Sequence, residues 1–318
     1  MPNPTISVIL VNWNTRDLLL QCIRSIKSDC EGIETEIIVS DNASIDGSAD
    51  AVLKEFPEIK VLKNQENLGF AKGNNVAIRQ SRGDFICLVN TDVEIIKGCF
   101  PGLLRYMRDN PSAGITGPQA LNADQQVQIT ARKDVGFLNS FARIFWIDIL
   151  FPSLTWYSQK KLEEVDALAG CFWMIRREAL EQIGLLDEDF FFYGEDRDYC
   201  KRMRLAGWKV IFNPDFKIFH YEAGSSKARP FHYYMQLERA FLQYWKKYHG
   251  KSSTLVYYLF RIVYHLVRYT TNMGANVLSL KMNTERKSKA LRSWYCIRIL
   301  TGFEKKVDMS FQTENSIV

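Results

Sequence analysis

Two hydrophobic patterns alternate along the first third of the chain. Short, mostly apolar runs at residues 6–11, 36–40, 59–62 and 85–89 suit strands of a parallel sheet buried on both faces. Between them, apolar residues recur at helical spacing. Leu18, Leu19, Cys22, Ile23 and Ile26 share one helical face, and Thr15 is a suitable N-cap for it. Asp46 is placed to cap a second helix that runs through Phe56. A third opens in residues 67–75 and reaches about Arg79, and a fourth runs from about residue 97 to 109. Strands and helices in this order predict βαβ units, a Rossmann-like, mostly parallel sheet flanked by helices, and hence an α/β fold.

Three of the runs end in polar side chains: Asn12-Trp13-Asn14, Asp41-Asn42-Ala43-Ser44 and Asn90-Thr91-Asp92. In open α/β sheets, ligands bind beyond the carboxyl ends of the strands. A carboxylate there, Asp92 above all, can hold Mg²⁺ or Mn²⁺ together with substrate phosphates. Taken alone, the same residues also end a strand in an Asn/Asp turn. The phosphate fingerprints G-x-G-x-x-G and G-x-x-x-x-G-K-[ST] are absent, which argues against dehydrogenase and P-loop chemistry. A nucleotide can instead be held by Asp41 at its base or ribose, by the polar loop of residues 67–74, and by a metal on its diphosphate.

The second half is organised differently. Residues 115–120 and 126–130 predict two further strands around a turn. Residues 137–157 are rich in Phe, Trp, Ile and Leu. They read either as a core helix pair or as an amphipathic segment lying at a membrane or gripping a lipid, and Pro152 interrupts them too soon for a span. In residues 166–175, Gly170 would let a substrate approach the backbone, while Trp173 suits either a sugar platform or the core. Four aromatics, Phe190 to Tyr193, precede Gly194, Glu195, Asp196 and Asp198 at a helix start. Acids there suit the positive end of the helix, but aromatic neighbours would also desolvate a carboxyl and raise its pKa, as a general base needs. His220 ends an alternating strand, where a lone histidine is usually structural.

Composition and charge sharpen the picture. The apolar share of 47% and charged share of 24% are those of a globular protein. Seven cysteines without C-x-x-C spacing read as reduced core thiols of a reducing compartment. Met1-Pro2-Asn3-Pro4 does not resemble a signal peptide. The net charge of +5 is uneven: residues 246–306 hold 13 Lys/Arg against 2 Glu, leaving −6 for the rest. Residues 231–248 and 255–269 predict helices. In the latter, aromatics interleave with Arg261, His265 and Arg268, which disfavours a bilayer span and suits an interfacial helix on anionic lipid. The other reading is a helical pair packed on the catalytic domain or on a second copy in a homodimer. No nucleic-acid-reading motif accompanies the charge, so nucleic acid is not expected as a partner.

Four motifs together carry a resemblance: Val11-Asn12-Trp13-Asn14, Asp41-Asn42-Ala43-Ser44, Asn67-Leu68-Gly69-Phe70-Ala71-Lys72-Gly73-Asn74-Asn75 and Val89-Asn90-Thr91-Asp92. In order and spacing they resemble the family 2 nucleotide-sugar glycosyltransferases, and within them the bacterial rhamnosyltransferase-type branch, over about residues 5–225. The resemblance implies a GT-A fold, a nucleoside-diphosphate sugar donor, Mg²⁺ or Mn²⁺, and an inverting transfer without a protein nucleophile. It assigns donor binding to Asn12, Asn14, Asp41, Asn67, Gly69, Lys72, Asn74, Asn90 and Asp92, and the metal to Asp92 with His220. The metal motif departs from the family's frequent Asp-x-Asp, because its first position is Asn90. The implied general base is Asp196 with Glu195 as partner, while Asp198 supports the helix. A loop at residues 224–227 would cover the diphosphate, with Lys227 or Arg229 neutralising charge.

The expected organisation is a catalytic domain at 1–225, with a donor half to about 120 and an acceptor half beyond. A basic helical extension at 226–306 and a disordered tail at 307–318 follow. The expected acceptor is a lipid-linked glycan of a bacterial surface polysaccharide, and the expected location is the cytoplasm, peripheral on the inner face of the plasma membrane. Two alternatives remain at this stage. A sugar-nucleotide pyrophosphorylase would need a Gly-rich basic loop after the first strand, where Asn12-Trp13-Asn14-Thr15 stands. A non-catalytic, membrane-associated nucleotide-sugar binder would have no need of Glu195, Asp196 and His220.

Overall fold

The computed structural model describes residues 4–145, 147–221, 230–278 and 284–302. They form two compact units. One comprises the described residues of Met1–Asp134, Pro152–Phe191 and Glu195–Gly224, and the other those of Val135–Phe151, Phe192–Gly194 and Ser225–Val318. The loop expected at 224–227 with Arg229, and the tail from 307, lie outside the described residues.

The first unit begins with β1 (Ile6–Asn12), α1 (Arg16–Asp29), β2 (Thr35–Asp41), α2 (Ser48–Glu55), β3 (Lys60–Lys63), α3 (Gly69–Ile78) and β4 (Phe85–Asn90). It continues with β5 (Val93–Ile95), α4 (Cys99–Asp109), β6 (Ala113–Leu121) and β7 (Ala131–Arg132). Two helices, α5 (Phe137–Ile144) and α6 (Ile147–Leu150), then belong to the second unit. The chain returns through β8 (Glu163–Glu164), β9 (Ala167–Leu168), β10 (Phe172–Arg176), α7 (Arg177–Ile183), α8 (Glu195–Leu205) and β11 (Lys209–His220). The main sheet runs β3-β2-β1-β4-β10-β6-β11-β5, with β8 beside β11. Strands β3 to β4 along this order are parallel, and β10 joins antiparallel to both β4 and β6. The sheet is therefore parallel from β3 to β4 and mixed beyond β4.

Period-two alternation explains the layering. Val8, Leu10, Val39, Cys87 and Val89 face the side covered by α1 and α4, while Ile9, Ile38, Ile86 and Leu88 face α3 and α8. Each such fully buried aliphatic side chain contributes about 1.5–3 kcal/mol relative to exposure. All seven cysteines are buried and unbridged.

Local structure departs from the sequence reading at two places. Thr15 does not cap α1 with its side chain. Its hydroxyl instead donates to Asn12 Oδ1 at 2.8 Å and meets the Thr91 hydroxyl at 2.8 Å, while Asp46 Oδ2 accepts the Arg16 N–H at 2.9 Å. Residues 126–130 form no strand, only the isolated bridge of Val127 to Leu121, because the chain turns there and Gln128 is directed to His220.

The second unit contains α5, α6, α9 (Pro230–Tyr248), α10 (Lys251–Leu278) and α11 (Thr284–Leu300). Its centre is aromatic: buried Trp245 stacks on Tyr257 with ring centroids 4.2 Å apart and meets Phe137 edge-on at 4.8 Å. Buried Glu238 on α9 receives both arms of the Arg261 guanidinium from α10, with Nε at 2.9 Å. His265 Nε2, one turn further along, lies 3.2 Å from the same carboxylate. No described helix is long and apolar enough to cross a membrane.

Candidate active site

Parallel register brings the strand-end residues to one edge. Asn12 pairs with Asp41, and Val11 with Asn90, so the ends of β2, β1 and β4 lie side by side. Asn12 and Asp41 are buried, and the Asn12 amide donates to Asp41 Oδ1 at 2.8 Å and to Ser44 Oγ at 2.9 Å. Asn14 takes a positive φ of 55°, which asparagine tolerates, and its Oδ1 accepts the Ile45 N–H at 2.8 Å. These residues therefore knit the β1 and β2 loops into one rigid rim.

The polar loop of residues 67–75 is fastened to that rim. Asn42 donates to Asn67 Oδ1 at 3.2 Å and to the Gly69 carbonyl at 3.0 Å, and Asn67 Oδ1 accepts the Gly69 N–H at 2.9 Å. Gly69 has φ +76°, and a Cβ there would stand 2.3 Å from the Phe191 carbonyl oxygen, so glycine is required. The next N–H, of Phe70, donates to that carbonyl at 3.0 Å. Asn74 is buried and occupied by the Phe70 carbonyl at 2.9 Å, whereas Lys72 is exposed.

Asp92 and His220 come together although 127 intervening positions separate them. Strand β5 pairs antiparallel with the end of β11, setting Val93 opposite His220, and Asp92 Oδ1 lies 3.5 Å from His220 Nε2. Gln128 fixes the imidazole. Its amide nitrogen donates to the His220 carbonyl at 2.9 Å, which leaves Oε1 as the acceptor facing Nδ1 at 2.9 Å. Nδ1 then carries a proton, and Nε2 is the ring nitrogen turned to Asp92, the one that a neutral imidazole would offer as a ligand. One carboxylate and one imidazole nitrogen fit a divalent cation that takes its other ligands from phosphate and water. Among the described residues no group of three His, Cys, Asp or Glu is arranged to hold a metal by itself.

The acids open α8. Asp196 Oδ2 lies 3.3 Å from an Arg132 guanidinium nitrogen, and Oδ1 accepts the Arg197 N–H at 2.8 Å. Glu195 is buried, and its Oε2 has no hydrogen-bond partner. Burial first, and then the Asp196 charge, raises its pKa well above the usual carboxylate range. Asp198 is fully buried in an ion pair with Arg202 at 2.9 Å, a structural role.

The turn between β9 and β10 connects the two groups. A Cβ on Gly170 would lie 3.6 Å from Asp196 Cβ, and the next residue, Cys171, accepts the Asn90 N–H through its carbonyl at 3.0 Å. Trp173 is a core residue, fully buried and stacked on Tyr199 with centroids 5.9 Å apart, so it offers no platform to a sugar. Sequence reasoning missed Arg132, Gln128 and Asn42. Asn42 stood within a motif, Gln128 lay inside the strand expected at 126–130, and Arg132 lay just beyond it.

Comparison with known proteins decides the family. The family model described as Glycosyl transferase family 2 matches residues 7–184. The chain belongs to glycosyl transferase family 2. Over 213 residues this glycosyltransferase is 30% identical to the N-acetylglucosaminyl-diphospho-decaprenol L-rhamnosyltransferase of Mycobacterium tuberculosis, covering 61% of this chain and 69% of that relative. It is 23% identical over 229 residues to Rhamnosyltransferase WbbL of Escherichia coli, covering 67% of this chain and 82% of that one. Among solved structures, the mannosyltransferase PcManGT from Pyrobaculum calidifontis, in complex with GDP-Man and Mn²⁺, matches with a TM-score of 0.57 at 15% identity, over 95% of this chain and 87% of that one. GalNAc-T7 with UDP, GalNAc and Mn²⁺ matches with a TM-score of 0.56 at 14% identity, over 88% and 59% respectively. The fold is therefore that of the GT-A glycosyltransferases. A pyrophosphorylase and a non-catalytic binder are not favoured.

Proposed function

We propose that this glycosyltransferase is metal-dependent and inverting, and that it moves rhamnose from a nucleoside-diphosphate sugar to a hydroxyl of a lipid-linked glycan during surface polysaccharide synthesis. The observation that carries the reading is the turn at Gly170-Cys171, which abuts Asp196 on one side and anchors Asn90 at the strand edge on the other. The sugar and the acceptor follow the relatives, a decaprenol-linked rhamnosyltransferase and a second rhamnosyltransferase. Buried, unbridged thiols fit a reducing compartment, so the reaction is assigned to the cytoplasm, at the inner face of the membrane that holds the acceptor.

In this reading the rim built by Asn12, Asn14 and Asp41 receives the nucleoside, and the loop carrying Asn67, Gly69, Lys72 and Asn74 borders it. Asp92 and His220 would hold the cation beside Asn90. When bound, Mg²⁺ or Mn²⁺ would neutralise charge developing on the leaving diphosphate. Asp196, oriented by Arg132 and the Arg197 N–H, takes the proton from the acceptor hydroxyl. That oxygen forms a bond to the anomeric carbon as the bond to the diphosphate breaks on the opposite face, inverting the centre. We assign the first unit to this chemistry and the helical second unit to placement of the protein at its acceptor.

The histidine's orientation provides a test. Gln128→Ala removes the group that fixes the His220 tautomer, and such partners typically cost about 10–100-fold in metal affinity. Titration of Mn²⁺ into the nucleotide complex is expected to show that loss, with metal-free nucleotide affinity unchanged. Unaltered Mn²⁺ affinity would remove His220 from the ligand set.

A further inference from the structure

The second unit carries an exposed apolar surface for which catalysis gives no reason. Along α10, the exposed large side chains Leu255, Val256, Leu259, Val263, Leu266 and Val267 recur at helical spacing and form one stripe. At its side, α5 and α6 expose Leu138 at 70%, Ile149 at 69% and Leu150 at 76%. The two surfaces adjoin, since Phe141 of α5 meets Phe260 of α10 with ring centroids 6.2 Å apart. Apolar patches of this kind mark interaction surfaces.

Two of the three charges that interrupt this helix in the sequence are turned inward, and the third is half-buried. Arg261 and His265 face buried Glu238 on α9, and Arg268 donates to the Tyr264 hydroxyl. The hydroxyls on the exposed face are also occupied: Thr270 donates to the Leu266 carbonyl at 3.0 Å and Thr271 to the Val267 carbonyl at 2.8 Å. The stripe therefore offers area without directional polar groups. The helices α9, α10 and α11 together hold 11 Lys/Arg against 2 Glu; with the buried Arg261–Glu238 pair set aside, 10 cations stand against 1 Glu.

We propose that the exposed face of α10, with α5 and α6 beside it, seats this protein on an anionic phospholipid surface, the helix lying in the plane of the interface. An apolar stripe backed by cations is the arrangement that such a surface binds, through buried apolar area and attraction to acidic headgroups. A second copy of the chain is a poor occupant, because it would bring an equally cationic set of helices against the first. No described helix is fit to cross the bilayer, which agrees with a helix lying on it. The inference adds a surface to the glycosyltransferase reading and is testable without donor or acceptor, so either can fail while the other stands.

The test is sedimentation of the full chain with vesicles of phosphatidylglycerol and phosphatidylcholine, compared with phosphatidylcholine alone. Binding is expected to the acidic vesicles, weakening as salt screens the headgroups. The double variant Leu259→Glu/Val263→Glu is expected to lower the bound fraction by about tenfold or more. Leu205→Glu, which charges a still more exposed leucine of the first unit, is expected to leave it unchanged. Both altered α10 positions are exposed, and circular dichroism checks folding; Leu255→Ser/Val267→Ser serves as a milder second variant. The proposal is overturned if the chain ignores acidic vesicles, binds neutral ones equally, or binds undiminished in both α10 variants. It is equally overturned if light scattering shows a dimer that the Glu variants split.

Discussion

Asp196→Asn is expected to lower glycosyl transfer by about 10²–10⁴-fold, the range that a positioned general base supplies. Asparagine keeps the side chain's shape and can still face Arg132, but it cannot accept the acceptor's proton. Affinity for the nucleotide sugar is expected to stay near that of the parent, because Asp196 is assigned to the acceptor and not to the donor. The product made by the parent should show an anomeric configuration inverted from the donor's. Glu195→Gln makes the informative comparison. Burial and the adjoining Asp196 charge already favour the protonated form of Glu195, so glutamine imitates its neutral state and is expected to cost less. Turnover of Asp196→Asn within about tenfold of the parent would show that another group is the base.

Glu238→Ala is expected to destabilise the helical unit by about 3–5 kcal/mol, because it strands Arg261 and His265 in the interior without their counter-charge. Chemical denaturation followed by the aromatic signal of Trp245 and its neighbours would report it. The same carboxylate makes a pH prediction. Burial alone would raise its pKa, but the Arg261 charge and then His265 override that and lower it from 4.5 to about 2. The folded-state pKa is depressed, so the stabilisation is present in full above pH 4.5 and is lost as pH falls towards 2. Its size is on the order of 3 kcal/mol. The parent should therefore lose stability across that window more steeply than Glu238→Ala does. Parallel losses in the two proteins would mean that the pair contributes nothing.

How far the sequence reveals this molecule depends on whether a feature is local. The strands β1, β2 and β4 are visible because each is a short apolar run ended by polar residues, and parallel register then forces Asn12, Asp41 and Asn90 to one edge. Pairing of Asp92 with His220 is long-range and was available only through family resemblance; the strand pairing that joins them, β5 against the end of β11, has no sequence signature. Arg132 was invisible for the same reason, since a two-residue strand carries no period, and Gln128 reads as a strand residue where the chain in fact turns towards His220. Trp173 shows the opposite limit: an aromatic beside a glycine suits a sugar or a core equally, and only its burial against Tyr199 distinguishes them. In α10 the composition was legible but its direction was not, because the inward turn of Arg261 and His265 depends on Glu238, contributed by another helix.

The most direct measurement is calorimetric binding of a panel of nucleoside diphosphates and their sugars to the intact chain, with Mn²⁺ and with chelator. One nucleotide is expected to bind in a metal-dependent manner, with its sugar-bearing form selected from the panel and the metal-dependent part lost in Asp92→Asn. Folded protein that binds none of them, or binds with the same affinity in chelator, would contradict a metal-assisted nucleotide-sugar site at this sheet edge.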